Sequence, residues 1–191
     1  MTSRLGAMIL TGGASSRMGA DKATQLWGGA TAVERVAALA AAAGANPVIT
    51  VGGASHGLPH VRDEPPLGGP VGGVLAGARA LHEAGCTRAL VLAVDAPTLW
   101  AADLTPLLAA DEPGAAYDGL HLPMVLSLSA VPPDAEAGWP LGRLAERAGL
   151  ARPACPQEVV ARIRGANTLG ERDALLTCMP GDDSAEKPGA G

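Results

Sequence analysis

The sequence predicts an α/β protein of three layers, a mainly parallel sheet with helices on both faces. Three observations carry that reading. Short apolar runs alternate with helix-period segments at the spacing of βαβ units. The runs are rich in Val, Ile, Leu and Ala with few charges inside, as strands covered on two sides require. Glycine-rich loops follow the runs, where the chain must turn sharply on leaving a strand.

Taken in order, residues 5–11 (LGAMILT) make a first buried strand, followed by a Gly/Ser-rich loop over residues 12–22. Residues 31–43 read as a helix that opens on a capping box, Thr31 with Glu34, and stops at Gly44. Residues 47–51 (PVITV) form a second strand closed by Gly52 and Gly53. A Gly/Pro-rich loop over residues 65–73 leads into a helix from about 74 to 84, whose apolar residues at helical spacing belong to the core.

Residues 88–94 (RALVLAV) give the clearest strand signal, and Asp95 falls just past its carboxyl end. Helices are expected over 101–110 and 141–148, and a strand over 122–128. Thr168 and Glu171 offer a second capping box before a short terminal helix. Residues 181–191 are polar and aromatic-free, an expected disordered tail that leaves residues 1–180 as a single domain.

Composition narrows the function. With 48% hydrophobic and 17% charged residues among 191, the chain is globular. It has no Phe, one Tyr and three Trp, so Ala, Val and Leu must build the core. A net charge of −5 argues against a nucleic-acid binder, which would need a basic face. Cys86, Cys155 and Cys178 form no CxxC pair, which supports neither a disulfide framework nor a zinc site. No apolar leader opens the chain, and the alanine-rich stretch at 36–43 is too short to cross a bilayer, so a cytoplasmic location with no membrane contact is expected.

The chemistry concentrates in the first loop, Leu10-Thr-Gly-Gly-Ala-Ser-Ser-Arg-Met-Gly-Ala-Asp-Lys22. Gly12 and Gly13 let the backbone approach a ligand with no Cβ in the way, and exposed amides there can face anionic oxygens. Arg17 adds a planar fork for phosphate and Lys22 a compact ammonium. The loop is neither a P-loop, since GxxxxGK[ST] is absent, nor a dinucleotide fingerprint. Residue types alone describe an ordinary surface loop with scattered charges at least as well. Asp95 taken alone reads equally as a metal ligand or as the N-cap of the next helix. Asp63 reads as a turn residue before Pro65 and Pro66. His56, His60, His82 and His121 show no ligand spacing, and surface or structural roles suit them.

The whole string resembles the signature of the nucleotidyltransferase family that includes molybdenum cofactor guanylyltransferase, Leu-Ala-Gly-Gly-x-Ser-x-Arg-Met-Gly-x-Asp-Lys. Leu10, Gly12, Gly13, Ser15, Arg17, Met18, Gly19, Asp21 and Lys22 match, and Thr11 replaces the usual Ala. Asp63 followed by Gly69-Pro70-Val71-Gly72-Gly73 is similar to the family's second block. Asp95-Ala96-Pro97 looks like its metal-binding Asp-x-Pro turn. Asn167-Thr168 resembles its Asn-Thr-Pro element, with Leu169 in place of Pro. The family often has an Asn after the second strand; here that stretch reads Val51-Gly52-Gly53.

The resemblance implies a Rossmann-like nucleotidyltransferase fold that moves GMP from Mg²⁺-GTP onto molybdopterin. The backbone of Leu10, Thr11, Gly12 and Gly13 would hold the nucleotide together with Lys22, Asp63 and Asp95. Asp95 would bind magnesium, Arg17, Lys22 and Asp95 would serve catalysis, and Asn167 would touch the acceptor. A phosphate nucleophile is already ionised near neutral pH, so positioning and electrostatics suffice and no nucleophile–base pair is expected. The Gly-Gly pair, where cytidylyl relatives carry Ala-Gly, and the small chain favour GTP over CTP. Rival readings are a cytidylyltransferase for the same cofactor, a guanylyltransferase for another small phosphate such as phospholactate, a non-catalytic nucleotide-binding protein, and a dinucleotide-dependent oxidoreductase. Expected partners are the two substrates, transient contacts with molybdenum-insertion proteins, and at most a weak homo-oligomer.

Overall fold

A computed structural model describes residues 3–12, 21–63 and 68–164. Its centre is a six-stranded sheet built from β1 (Leu5–Leu10), β4 (Val48–Val51), β5 (His60–Val61), β6 (Arg88–Ala93), β7 (Gly114–Ala116) and β8 (Met124–Ser127). A two-stranded hairpin, β2 (Leu26–Trp27) with β3 (Ala30–Thr31), stands apart from it. The helices are α1 (Ala32–Ala42), α2 (Gly69–Glu83), α3 (Ala101–Leu108), α4 (Leu141–Arg147) and α5 (Gln157–Arg164).

Strand order in the sheet is β5-β4-β1-β6-β8-β7. β5, β4, β1 and β6 run parallel, β8 runs antiparallel to β6, and β7 antiparallel to β8. β8 is therefore the one reversed strand of this sheet, and the mainly parallel expectation holds.

The period of two in β1 splits the core into two layers. Ala7 and Ile9 face one side with Val33 and Val36 of α1, Leu104 and Leu107 of α3, and Val159 of α5. Met8 and Leu10 face the other with Val71, Val74 and Leu81 of α2 and Leu144 of α4. Helices thus cover both faces, which is the three-layer arrangement. The small-residue composition has a packing consequence. A Cβ on Gly77 would stand 2.7 Å from Met8 Sδ, and one on Gly6 would stand 2.7 Å from Leu81. α2 lies so close to the sheet that a side chain at either position would have to displace Met8 or Leu81 from the packed core.

The first helix starts as its sequence dictates. Thr31 accepts from the Glu34 amide, and the Glu34 carboxylate accepts from the Thr31 amide at 2.7 Å. α2 differs from expectation: it begins at Gly69, five residues before the position the sequence suggested, so Gly72 and Gly73 are helical. Pro70 sits in the first turn, where its missing N–H costs nothing. The glycines look like loop residues in sequence, but Gly73 lies close against the sheet at Leu10 and Val51, and Gly72 faces Ala137. β5, β7, α5 and the β2–β3 hairpin gave no clear sequence signal; most are two or three residues long, below the length at which periodicity shows.

No helix among the described residues is long and apolar enough to cross a membrane. The second capping box, the terminal helix and the tail expected over 181–191 lie outside the described residues.

Candidate functional site

β1, β4, β5 and β6 end along one edge of the sheet, and the segments that leave them are joined side by side. The Thr11 amide donates to the Val51 carbonyl at 3.0 Å, the Gly52 amide to the Val61 carbonyl at 3.0 Å, and the Val94 amide to the Leu10 carbonyl at 3.3 Å. Thr11, Gly52, Asp63 and Asp95 therefore form a row beyond the carboxyl ends of the strands, where open α/β sheets take their ligands.

Asp63 occupies a cradle made of glycine. A Cβ on Gly52 would lie 2.9 Å from Asp63 Oδ1, one on Gly12 would lie 3.3 Å from Oδ2, and one on Gly73 would lie 3.5 Å from Oδ1. Gly52 also has φ of +72°, which a side chain rarely adopts. Asp63 Oδ1 is buried and has no hydrogen-bond partner among the described residues. Burial pushes the carboxyl above its ordinary value, and the neighbouring His60 partly offsets that. A buried acceptor with no donor is a strong requirement waiting for one.

Thr11, the residue that departs from the family signature, has a structural use. Its hydroxyl donates to the Val51 carbonyl at 3.2 Å and also reaches the Gly52 carbonyl. It fastens the end of the first strand to the glycine turn that backs Asp63.

Lys22 is exposed and opens a short 3₁₀ turn, Lys22–Thr24. Asp21 caps that turn, accepting from the Ala23 amide at 3.0 Å, while its other oxygen lies 3.5 Å from His56 Nε2. Of the acidic and basic pair that ends the signature, Asp21 is thus committed to structure and Lys22 stands out toward solvent.

Asp95 is exposed, and its carboxylate makes no hydrogen bond or ion pair with another described residue. The alternative of an N-cap is ruled out, because α3 starts at Ala101 and its N-cap is Trp100. The Asp-Ala-Pro turn is held from behind by Arg35 of α1. Its Nε donates to the Pro97 carbonyl at 3.2 Å and its Nη1 to the Trp27 carbonyl at 3.3 Å. Beside Asp95 opens a cavity of about 250 Å³, lined by Ala96, Leu99, His121, Pro123 and Ile163 among others. His121, for which a surface or structural role was expected, faces this cavity, and Gly142 leaves room for its ring: a Cβ there would lie 2.9 Å from His121 Cε1.

The structure thus brings Leu10, Thr11, Gly12, Asp63 and Asp95 to one edge. Gly13, Arg17 and Asn167 lie outside the described residues. Sequence reasoning did not single out Arg35 or Ile163: an Arg on a helix and an Ile in an amphipathic segment carry no local sign of what they meet across the fold.

The model of the MobA-like NTP transferase domain matches residues 7–166, most of the chain and the whole edge just described. The chain belongs to the MobA-like NTP transferase family. Among its relatives, a molybdenum cofactor guanylyltransferase from Xanthomonas euvesicatoria is 41% identical over 124 residues, 64% of each chain. One from Cereibacter sphaeroides is 35% identical over 196 residues, 91% of this chain and 97% of the relative. The chain thus spans just under two thirds of the first relative's length and nearly all of the second's.

Among solved structures, a nucleotidyl transferase from Methanothermobacter superposes with a TM-score of 0.66 at 18% identity, covering 92% of this chain and 99% of that one. Molybdopterin-guanine dinucleotide biosynthesis protein A from Archaeoglobus fulgidus gives 0.55 at 16% identity, covering 90% and 96%. These likenesses show the α/β Rossmann-like nucleotidyltransferase fold. In this MobA-like chain a glycine cradle round one aspartate and an open aspartate beside a cavity lie along one edge of the sheet.

Proposed function

We propose that the protein transfers GMP from GTP to the terminal phosphate of molybdopterin, forming molybdopterin guanine dinucleotide. The observation that carries this reading is the carboxylate of Asp63, whose buried Oδ1 is unpartnered among the described residues and whose Oδ2 lies beside Gly12. An ionised carboxylate only accepts hydrogen bonds. Guanine presents adjacent N–H donors, N1–H and the 2-amino group, on one edge, and a carboxylate can take both. The backbone of Leu10 to Gly12 ends beside Asp63, where Gly12 has no side chain to crowd a planar base, and Gly13 is assigned to the same role by the resemblance of its motif.

The other end of the row suits the phosphates. A single exposed carboxylate at a strand end, with no third ligand among the described residues, fits magnesium, which keeps waters and substrate oxygens in its shell. Asp95 would hold that ion, whose role when bound is to offset the charge of the triphosphate. Lys22, projecting to solvent at the end of the signature, and Arg17 beside it in sequence supply cations to the α-phosphate and the leaving group. Asn167 is assigned to the acceptor by the resemblance of its motif, and the cavity beside Asp95 offers the acceptor its place.

In the reaction an oxygen of the acceptor phosphate forms a bond to the α-phosphorus. The bond from the α-phosphorus to the bridging oxygen breaks, and pyrophosphate leaves with that electron pair. The nucleophile is ionised, so the chain need not remove a proton. Its residues hold two polyanions together in line, a task that calls for no nucleophile–base pair.

The test follows the label. With α-³²P-labelled GTP, Mg²⁺ and molybdopterin, the radioactivity should move to the dinucleotide, with one pyrophosphate released for each. Label that stays in GTP over many enzyme equivalents, with intact molybdopterin present, overturns the assignment.

A further inference from the structure

The cavity beside Asp95 is closed on one side by α5, and α5 is held there by one buried ionic contact. Arg162 donates from Nε to Asp103 Oδ2 at 2.7 Å and from Nη2 to Oδ1 at 2.6 Å, a bidentate pair. Asp103 is 5% exposed. Its Oδ2 also accepts from the Trp100 amide at 2.9 Å, and the Arg162 guanidinium lies 4.2 Å over the Trp100 ring. The hydroxyl of buried Thr98, three residues past Asp95, donates to the Arg162 carbonyl at 3.2 Å. Both the side chain and the backbone of Arg162 are therefore tied to residues 98–103. These follow directly on the Asp95 turn. The next residue, Ile163, is a wall of the cavity.

A buried ion pair is a poor device for stability alone, because desolvation cancels much of its attraction. It is a good device for fixing one element in one register, since the planar fork accepts a carboxylate in few orientations. Here the element that it fixes bears a cavity wall and the element that it grips leads from the proposed metal ligand.

We propose that Asp103 and Arg162 are positioning residues that hold Ile163 against the acceptor, so that they set acceptor affinity without setting nucleotide affinity. The inference rests on the guanylyl-transfer reading above. It goes beyond that reading in assigning an acceptor-side role to a contact remote from the signature loop. The glycine cradle of Asp63 lies on the other side of β1 in the strand order and shares no residue with this clamp, which is why the two affinities separate.

The experiment measures initial rates of GMP transfer for the whole chain with Mg²⁺, varying GTP and molybdopterin in turn, for wild type, Arg162→Leu and Ile163→Ala. Ile163→Ala keeps the ion pair intact and is expected to fold even if Arg162→Leu does not. The expected result is a KM for molybdopterin at least tenfold higher in Ile163→Ala and in any folded Arg162→Leu, with the KM for GTP within twofold of wild type. Arg162→Lys, which keeps the charge and loses the fork, should fall between. An acceptor KM within twofold of wild type in Ile163→Ala overturns the proposal, as does a GTP KM that rises in step with it. Either result leaves guanylyl transfer by the wild type standing. A wild type that transfers nothing to molybdopterin overturns the function and this inference together.

Discussion

Asp63 and Gly52 are in a contact that no larger residue allows: a Cβ on Gly52 would stand 2.9 Å from Asp63 Oδ1 and 3.0 Å from Oδ2. The glycine also holds φ at +72°. Gly52→Ala therefore meets two obstacles, a left-handed backbone that costs about 1–2 kcal/mol and a carboxylate that must move. The expected outcome is a melting temperature lower by roughly 3–8 °C and a weaker grip on GTP, read by thermal unfolding and by calorimetric titration. An unchanged melting temperature would contradict the described geometry of the turn.

Asp63→Asn separates stability from function. Burial holds the wild-type carboxyl above its unfolded value, so the folded state binds the proton more tightly than the unfolded one. Below the unfolded value both states are protonated and the charge has no cost. As pH rises through the raised folded value, the buried group must ionise, and stability falls. The neutral amide removes that penalty, so Asp63→Asn should unfold at a higher temperature than wild type at pH 7.5 and at the same temperature near pH 3. GTP affinity should fall at least tenfold, because the amide presents one acceptor where the carboxylate presents two. Melting curves at the two pH values, with GTP titrations, check both parts.

Much of the fold was legible in the sequence. β1 and β6 are continuous apolar runs and α1 opens on a capping box, signals that are local and complete. The start of α2 was missed because Gly72 and Gly73 follow a proline and look like turn residues; their reason is contact with α4's neighbourhood and with Leu10, which sequence does not show. In the site, Asp63 and Asp95 were found through motif resemblance, while the cradle, the loss of the N-cap alternative for Asp95 and the Arg35 brace needed the fold. Gly12 and Asp63 are 51 positions apart, Arg35 and Pro97 are 62 apart, and the N-cap question turns on where a helix begins.

Arg35 braces the Asp95 turn without lying in the row itself. Replacing it with Met keeps the aliphatic stem and removes the donors to Pro97 and Trp27. The expected effect is a kcat lower by about tenfold, the cost of a misplaced group near the chemistry, with a partial return at high Mg²⁺. A kcat equal to wild type at limiting Mg²⁺ would show that the turn holds its shape alone.

Asp95 is exposed and unpaired among the described residues, so its removal should not disturb the fold. Asp95→Asn is expected to melt within about 1 °C of wild type and to lose GMP transfer by two orders of magnitude or more. Loss of stability in place of turnover would make it a structural residue.

In the proposed reaction the donor is a guanine nucleotide. Pyrophosphate release with molybdopterin and Mg²⁺, measured in parallel for GTP, CTP, ATP and UTP, tests this most directly. GTP alone should sustain turnover, and the rate should vanish when molybdopterin is left out. Turnover with CTP and none with GTP would contradict the proposed donor.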